Sequence, residues 1–113
     1  MITKEEKIVD VPQVVPDNFK KEGVKYKLLC HNLVTERAKV GSKVGVGTYA
    51  LSYGDDAKVV GYAVVNFRVK LNRFDNDIPY VAFPSLDTWG KDGFSKYTYQ
   101  GAMSKYMSLE GML

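Results

Sequence analysis

The stretch that decides the fold is residues 58–71, KVVGYAVVNFRVKL. Every second residue from Val59 to Leu71 is apolar or glycine, and these residues share one face: Val59, Gly61, Ala63, Val65, Phe67, Val69 and Leu71. The opposite face carries Tyr62, Asn66, Arg68 and Lys70. A period of two is typical of a β-strand that buries one face, so this stretch predicts a strand with a polar outer side.

The same period extends in both directions along the chain. In residues 24–35 the even positions are mostly apolar, which predicts a strand with Cys30 facing inward and His31 outward. Residues 43–53 predict a second strand, in which Gly45 and Gly47 indicate a bulge or a close backbone approach. Turn residues at 54–57 predict a hairpin between this strand and residues 58–71.

Residues 78–84 predict a fourth strand at a sheet edge, because Pro79 and Pro84 lack a backbone donor. Residues 94–99 predict a short fifth strand, and apolar spacing in residues 101–113 predicts an amphipathic helix. The expected fold is therefore α+β, with an antiparallel four- to five-stranded meander sheet and a C-terminal helix. Residues 24–113 form the expected domain, preceded by an extended arm at 1–23 that packs on the domain or on a partner chain. A capping box at 3–6 predicts at most a short helical turn.

Composition limits the possible classes of protein. With 113 residues, 45% hydrophobic and 26% charged, the chain fits one globular domain. Twelve of the sixteen Lys and Arg residues follow position 23, against eight acidic residues, so the mild positive charge belongs to the expected domain. One cysteine excludes an internal disulfide, and no apolar run approaches the ~20 residues of a membrane span, so we expect a cytoplasmic protein without membrane contact.

The sequence offers little for catalysis. Cys30 and His31 are adjacent, but neighbours on a strand point to opposite faces and cannot form a local nucleophile and base. The glycines at 41–47 match neither a Walker loop nor a dinucleotide fingerprint. With a single histidine and a single cysteine, we expect no enzyme, no metal site and no cofactor.

The polar outer face of the sheet is the remaining candidate. It would combine Lys25, Lys27 and His31 with Tyr62, Arg68 and Lys70, joined by Lys43, Tyr49 and Tyr53. Basic groups neutralise phosphates and tyrosines stack on unpaired bases, so this mixture suits nucleic acid. Two alternatives stay open: an ordinary solvated sheet face, or a face covered by the helix that buries the tyrosines and leaves the lysines at the rim.

Residues 64–94 resemble the SpoVG family of bacterial regulators linked to sporulation and septation. The resemblance rests on Val64-Val-Asn-Phe-Arg-Val69, on Tyr80-Val-Ala-Phe-Pro-Ser85 and on Asp92-Gly-Phe94. The chain departs from the family in its longer turn at 72–77, in its missing His-Pro and in its short helix. The resemblance implies a homodimeric DNA- and RNA-binding regulator without enzymatic activity.

Carried onto this chain, the resemblance implies nucleic-acid contacts at Lys91, Lys96 and Lys105. The outer strand face adds Arg68, Lys70 and Tyr62, and the expected dimer edge contains Ile78, Tyr80 and Ala82. The alternative is a protein-interaction module that uses this edge, the arm and an exposed Trp89. The sequence thus leaves two functions open, with nucleic-acid binding the leading one.

Overall fold

The computed structural model describes residues 7–53 and 58–113, and it confirms the α+β class. The described residues form eight strands and one α-helix, in this order: β1 Ile8–Asp10, β2 Phe19–Lys21, β3 Val24–Leu33, β4 Arg37–Lys39, β5 Lys43–Tyr53, β6 Gly61–Asn72, β7 Ile78–Ala82, β8 Gly93–Lys96 and α1 Tyr99–Gly111. The main antiparallel sheet has the order β2-β3-β5-β6-β7. Along the same side of β6, β8 pairs with its first half and β7 pairs with its second half. No described helix has the length and apolar character needed to cross a membrane.

Strand β6 is the centre of the sheet and is buried on both faces. Val65, Phe67 and Val69 point into the main core, whereas Val64 belongs to a second apolar cluster beneath α1. The Phe67 ring lies directly over Gly47 of β5, where an added Cβ would come within 2.6 Å of it. The predicted close approach is confirmed here, and the register shift between Lys43 and Gly45 confirms the predicted bulge.

The described part of the N-terminal arm packs on the domain. Strand β1 pairs with β4, and the side chains of Val9, Val11 and Val15 are buried in the main core. Strand β2, which the sequence did not predict, brings Phe19 into a stacked contact with Tyr26 at 4.8 Å between ring centroids. Because these residues supply core, the arm is structurally part of the domain. The predicted capping box at 3–6 and the turn at 54–57 lie outside the described residues.

A bulge in β3 changes which side chains face the core. Leu28 pairs with Tyr49 and Cys30 pairs with Thr48, so Leu29 is an extra residue in the strand. Beyond the bulge the alternation reverses, and Cys30 lies on the α1 side of the sheet rather than in the main core. The prediction of one continuous inward face in residues 24–35 was therefore wrong. His31 still points away from Cys30, but it no longer shares a face with Tyr62.

Helix α1 covers the second face of the sheet. Ala102 and Leu109 are buried against Val46 and Val64. Thr98 caps the helix by accepting a hydrogen bond from the Gly101 amide at 3.0 Å. At the other end, Asn32 of β3 donates to Glu110 at 2.9 Å. The alternative of a covered face is therefore met only in part, because α1 covers Val46 and Val64 but leaves Tyr62 partly exposed.

Two tyrosines, Tyr49 and Tyr106, pack on opposite faces of the sheet. Tyr49, expected on the outer face, is fully buried in the main core because it pairs with Ala63. Its hydroxyl donates to the Pro16 carbonyl at 2.5 Å, and burial together with the nearby Asp17 carboxylate raises its pKa well above the ordinary value. Tyr106 of α1 is tied to the second face, where burial, Cys30 and Glu110 raise its pKa to about 12. Tyr49 therefore helps to fix the N-terminal arm on one face of the sheet, and Tyr106 helps to fix α1 on the other.

Several element boundaries differ from the sequence predictions. β6 begins at Gly61 rather than at 58, and Val59 is exposed instead of facing the core. β8 is shorter than the predicted fifth strand, and α1 starts two residues before the predicted helix. The edge position of β7 is confirmed, since the sheet order ends there. These shifts leave the predicted order of the major elements intact.

The hairpin between β2 and β3 contains a strained residue. Glu22 and Gly23 both have positive φ, 52° and 80°, as in a type I′ turn. Asn tolerates this conformation better than Glu, so Glu22→Asn is expected to raise the free energy of unfolding by about 0.5–1 kcal/mol. Glu22→Gln removes the same charge without the backbone preference and serves as control. Urea unfolding measures both variants, and equal stabilities would contradict the turn assignment.

Candidate functional site

The six predicted nucleic-acid contacts separate into two groups on the α1 side of the sheet. Arg68 and Tyr62 lie six residues apart on β6, which places their backbones about 20 Å apart at about 3.3 Å per residue. Lys70 and Lys91 lie near Arg68, whereas Lys96 pairs with Tyr62. The structure thus does not bring the predicted residues into one continuous site.

The first group lines a cleft of about 220 Å³ between β6, β7 and the loop 83–92, hereafter the cleft. Its charged residues are Arg68, Lys70, Lys91 and Asp92. Lys70 and Lys91 are exposed, and neither has an ion-pair partner in the part of the chain that the structure describes. The cleft is therefore open to solvent and positively charged.

Arg68 is held by its neighbours. Its Nε and one terminal nitrogen donate to the two carboxylate oxygens of Asp92, at 2.9 and 3.2 Å. The other terminal nitrogen donates to the Gly41 carbonyl at 2.8 Å. Asp92 is buried in a loop that is itself bound to β6, because the Asn66 amide donates to the Asp92 carbonyl at 2.7 Å. Arg68, predicted as a phosphate contact, thus also links the loop to the sheet.

The ion pair controls the titration of Asp92. Burial alone would raise the pKa of Asp92, but the hydrogen bonds and charge of Arg68, with help from Lys43 and Asn66, hold that pKa below its ordinary value. A carboxyl group with a lowered folded-state pKa stabilises the protein above its unfolded-state pKa of about 3.9. That contribution is lost as the pH falls through the lower folded-state value.

The loop of the cleft is fixed by an aromatic contact. The Trp89 ring lies against Gly93, where an added Cβ would come within 2.3 Å of it, and its indole nitrogen donates to the Ser95 hydroxyl at 2.9 Å. Phe83 packs at 6.1 Å between ring centroids from Trp89. Trp89 is therefore half-buried and engaged within the domain, and the expectation of a free, exposed interface anchor was wrong.

The second group of predicted contacts includes Tyr62 and Lys96, which lie in a row of side chains that crosses four strands. Register pairs Lys27 with Ala50, Ala50 with Tyr62, and Tyr62 with Lys96. Directly paired residues share a face of the sheet, so the row presents a tyrosine between two lysines over about 14 Å, three strand spacings of about 4.8 Å. Lys27, Tyr62 and Lys96, with Tyr99 of α1, are hereafter the tyrosine patch.

The tyrosine patch has further aromatic rings and one more cation, Lys105, beside it. Tyr99 packs edge-on against Tyr62 at 6.0 Å, and the Tyr97 ring is almost fully exposed directly after Lys96. The predicted contact Lys105 places its ammonium 3.9 Å from the centre of the Phe94 ring, one row further along the sheet. Neither Lys27 nor Lys96 has an ion-pair partner in residues 7–53 and 58–113. The sequence did not point to Tyr99 as a site residue, because Tyr99 contacts Tyr62 only as a result of where α1 begins.

The predicted dimer edge is mostly accessible. Ile78 and Tyr80 are about half exposed on β7, whereas Ala82 is buried beside the cleft, where it pairs with Arg68. An apolar groove of about 440 Å³ lies between β1 and the start of β7, lined by Ile8, Ile78 and Pro79 among others. Ile78 and Tyr80 therefore offer side chains to a partner, and Ala82 does not.

No protein-family model, curated protein or solved structure matches this chain. The resemblance of residues 64–94 to the SpoVG family therefore stays a prediction. Within the described residues, no three His, Cys, Asp or Glu side chains are grouped closely enough to hold a metal ion. The function is consequently inferred from the geometry of the tyrosine patch, the cleft and β7.

Replacing Asp92 tests the ion pair. Asp92→Asn leaves the partly buried Arg68 without its counter-charge, so the free energy of unfolding at pH 7 is expected to fall by about 2–3 kcal/mol. The difference from wild type should shrink as the pH falls below about 4, where the carboxyl group of the unfolded state is protonated, and it should vanish once the pH passes the lower folded-state pKa. Urea unfolding at pH 7 and pH 3 measures both effects.

The matched control is Asp10→Asn, which breaks the 3.3 Å pair between Asp10 and Arg37 on the surface. Both side chains are largely exposed, so no measurable loss of stability is expected. An Asp92→Asn variant as stable as this control would show that the Arg68 pair does not stabilise the fold.

Proposed function

We propose that this chain is a cytoplasmic, non-enzymatic regulator that binds DNA or RNA, with single-stranded nucleic acid as its preferred form. The observation that supports the proposal is the tyrosine patch, in which Tyr62 lies between Lys27 and Lys96, whose ammonium groups have no ion-pair partner among the described residues. Lysines neutralise backbone phosphates and a tyrosine face stacks on an unpaired base, which a duplex does not offer.

The position of the patch supports access by a strand. α1 starts at Tyr99 and runs away from the row, since its far end contacts Asn32 of β3. Ala50, the small residue between Lys27 and Tyr62, leaves the surface low between the two larger side chains. The row therefore places two lysines and a partly exposed tyrosine on one face, a combination of charge and ring that sequence-tolerant single-strand binders use.

The first test measures binding and its salt dependence. Fluorescence anisotropy with labelled single-stranded DNA, RNA and duplex DNA is expected to show tightest binding to the single strands. The double variant Lys27→Gln/Lys96→Gln should weaken this binding and lower the slope of log K against log salt by about 1.4, at about 0.7 per lost phosphate contact.

Lys39→Gln is the matched control, because Lys39 lies in the separate β1–β4 pair and is exposed. It removes one charge without touching the tyrosine patch, so its slope should stay close to wild type. A double variant with an unchanged slope, or no binding of any nucleic acid at about 50 mM salt, would overturn the proposal, since phosphate-driven affinity is strongest at low salt.

We further propose that the regulator is a homodimer that pairs through β7. The end position of β7 in the sheet leaves one side of its backbone without a strand partner among the described residues, and Ile78 and Tyr80 expose apolar surface beside it. Such an edge pairs readily with a second strand, and a two-fold axis near Tyr80 would set Tyr80 against its own copy.

A charge at Tyr80 tests this pairing. Tyr80→Glu sets like charges across the proposed two-fold axis, while within one chain the new carboxylate faces Lys70, its pair on β6. Sedimentation is expected to show a dimer for wild type and a monomer for the variant. Val14→Lys, at a residue 76% exposed in the arm, should remain dimeric.

The second candidate function, a protein-interaction module, is favoured by the same open edge. A monomeric wild type would overturn the homodimer and assign β7 to a different protein partner. Deleting residues 1–20 does not discriminate, because Val9, Val11 and Val15 belong to the core and their loss would unfold the domain. The oligomeric state of the wild-type chain is therefore the measurement that separates the two.

A further inference from the structure

The cleft is separate from the tyrosine patch and has its own chemistry. It lies at the β7 end of the α1 side of the sheet, about 20 Å along β6 from Tyr62. Polar groups line it from two elements: Arg68 and Lys70 on β6, and Ser85, Thr88 and Lys91 in the loop. Its volume of about 220 Å³ is below the ~300–1,000 Å³ of drug-sized pockets, so it suits a single small group.

The charge of the lining selects an anion. Three cationic side chains, Arg68, Lys70 and Lys91, face one carboxylate, Asp92, for a net charge of +2. The Asp92 carboxylate is only 5% exposed, and both of its oxygens already accept from Arg68. It therefore repels an incoming anion weakly, while Lys70 and Lys91 have no partner in the described residues.

Arg68 is pre-organised for this role. Its three hydrogen bonds to Asp92 and to the Gly41 carbonyl fix the guanidinium plane and use three of its five N–H donors. Two donors remain on a side chain that is 27% exposed and lines the cleft. An arginine fixed by a carboxylate behind it loses little entropy when an anion binds in front.

We propose that the cleft binds the phosphoryl group of a phosphate monoester. A monoester carries a charge of about −1.5 to −2 at pH 7, which matches the lining, whereas a carboxylate or a backbone diester carries only −1 and would leave one lysine uncompensated. The monoester belongs either to a free phosphorylated small molecule or to the terminal phosphate of a nucleic-acid strand. The proposal does not depend on nucleic-acid binding at the tyrosine patch.

The test titrates the full chain with inorganic phosphate at fixed ionic strength, with chloride as control, because screening alone would otherwise change the signal. Calorimetry measures binding, and the fluorescence of Trp89, the single tryptophan, reports on the loop that lines the cleft. Saturable binding is expected for wild type. Lys70→Gln/Lys91→Gln should weaken it at least tenfold, and Lys27→Gln/Lys96→Gln should leave it unchanged.

Two further arms distinguish the source of the phosphoryl group. Adenosine monophosphate is compared with adenosine, and an oligonucleotide with a 5′-phosphate is compared with the same strand ending in a hydroxyl. If only the mononucleotide competes with inorganic phosphate for the cleft, the ligand is a free small molecule. If the 5′-phosphorylated strand competes with inorganic phosphate, the ligand is a strand end.

The proposal is overturned if phosphate and the mononucleotide both fail to bind, or if the Lys70→Gln/Lys91→Gln variant, shown to be folded by circular dichroism, binds them as wild type does. Failure of nucleic-acid binding at the tyrosine patch would appear separately. In that case no oligonucleotide would bind through Lys27 and Lys96, while the response to inorganic phosphate would persist.

Discussion

Burial of β6 on both faces is the constraint on which the rest of the structure depends. Val65, Phe67 and Val69 need a cover on one side, and Val64 needs one on the other. In this chain of 113 residues, the N-terminal arm covers the first face and α1 covers the second. The 13-residue helix is about 20 Å long, whereas the 12 residues of β6 extend for about 40 Å. The helix therefore covers the middle of its face and leaves both ends open, and these ends are the tyrosine patch and the cleft.

The arm is held by aromatic packing rather than by charge. Phe19, Tyr26, Tyr49 and Phe83 form a cluster of stacked and edge-on contacts, with ring centroids 4.8 to 6.2 Å apart. Each such pair adds about 0.5–1.5 kcal/mol beyond the burial of its area. The Tyr49 hydroxyl is satisfied only through the Pro16 carbonyl, so the arm also supplies a hydrogen-bond acceptor that the buried ring requires. By contrast, the ion pair between Arg37 of β4 and Asp10 of β1 is exposed and contributes little.

The sequence predicts the major strands because their pattern is local. Alternation in β6, glycines opposite Phe67 and Pro79 in β7 each have a direct physical reason. The core face of β6, the close approach at Gly47 and the edge position of β7 were confirmed, whereas the predicted polar outer side of β6 was wrong, because Val64 and Asn66 on that side are buried. The missed features depend on contacts far apart in the chain. The Leu29 bulge has no glycine or proline to mark it, and the β2–β3 turn has Glu22 where Asn would be the usual signal. For the same reason, no local pattern shows that Arg68 pairs with Asp92 or that Lys27 aligns with Lys96 across β5 and β6.

Lys105 lies between the two open ends of the α1 side. It extends from α1 over Phe94, which pairs with Val64, so its ammonium lies between the row of Tyr62 and the row of Asn66. The ring quadrupole attracts the ammonium, so the Phe94 ring holds Lys105 at this position above the sheet. A strand that contacts Tyr62 and ends in a phosphate at the cleft would have to pass this point. Lys96, Lys105 and Lys91 would then offer such a strand successive positive charges along the β8 side, between the tyrosine patch and the cleft. Because phosphate contacts add together in the salt dependence of binding, a strand on this path would show a steeper salt dependence than one held at the tyrosine patch alone.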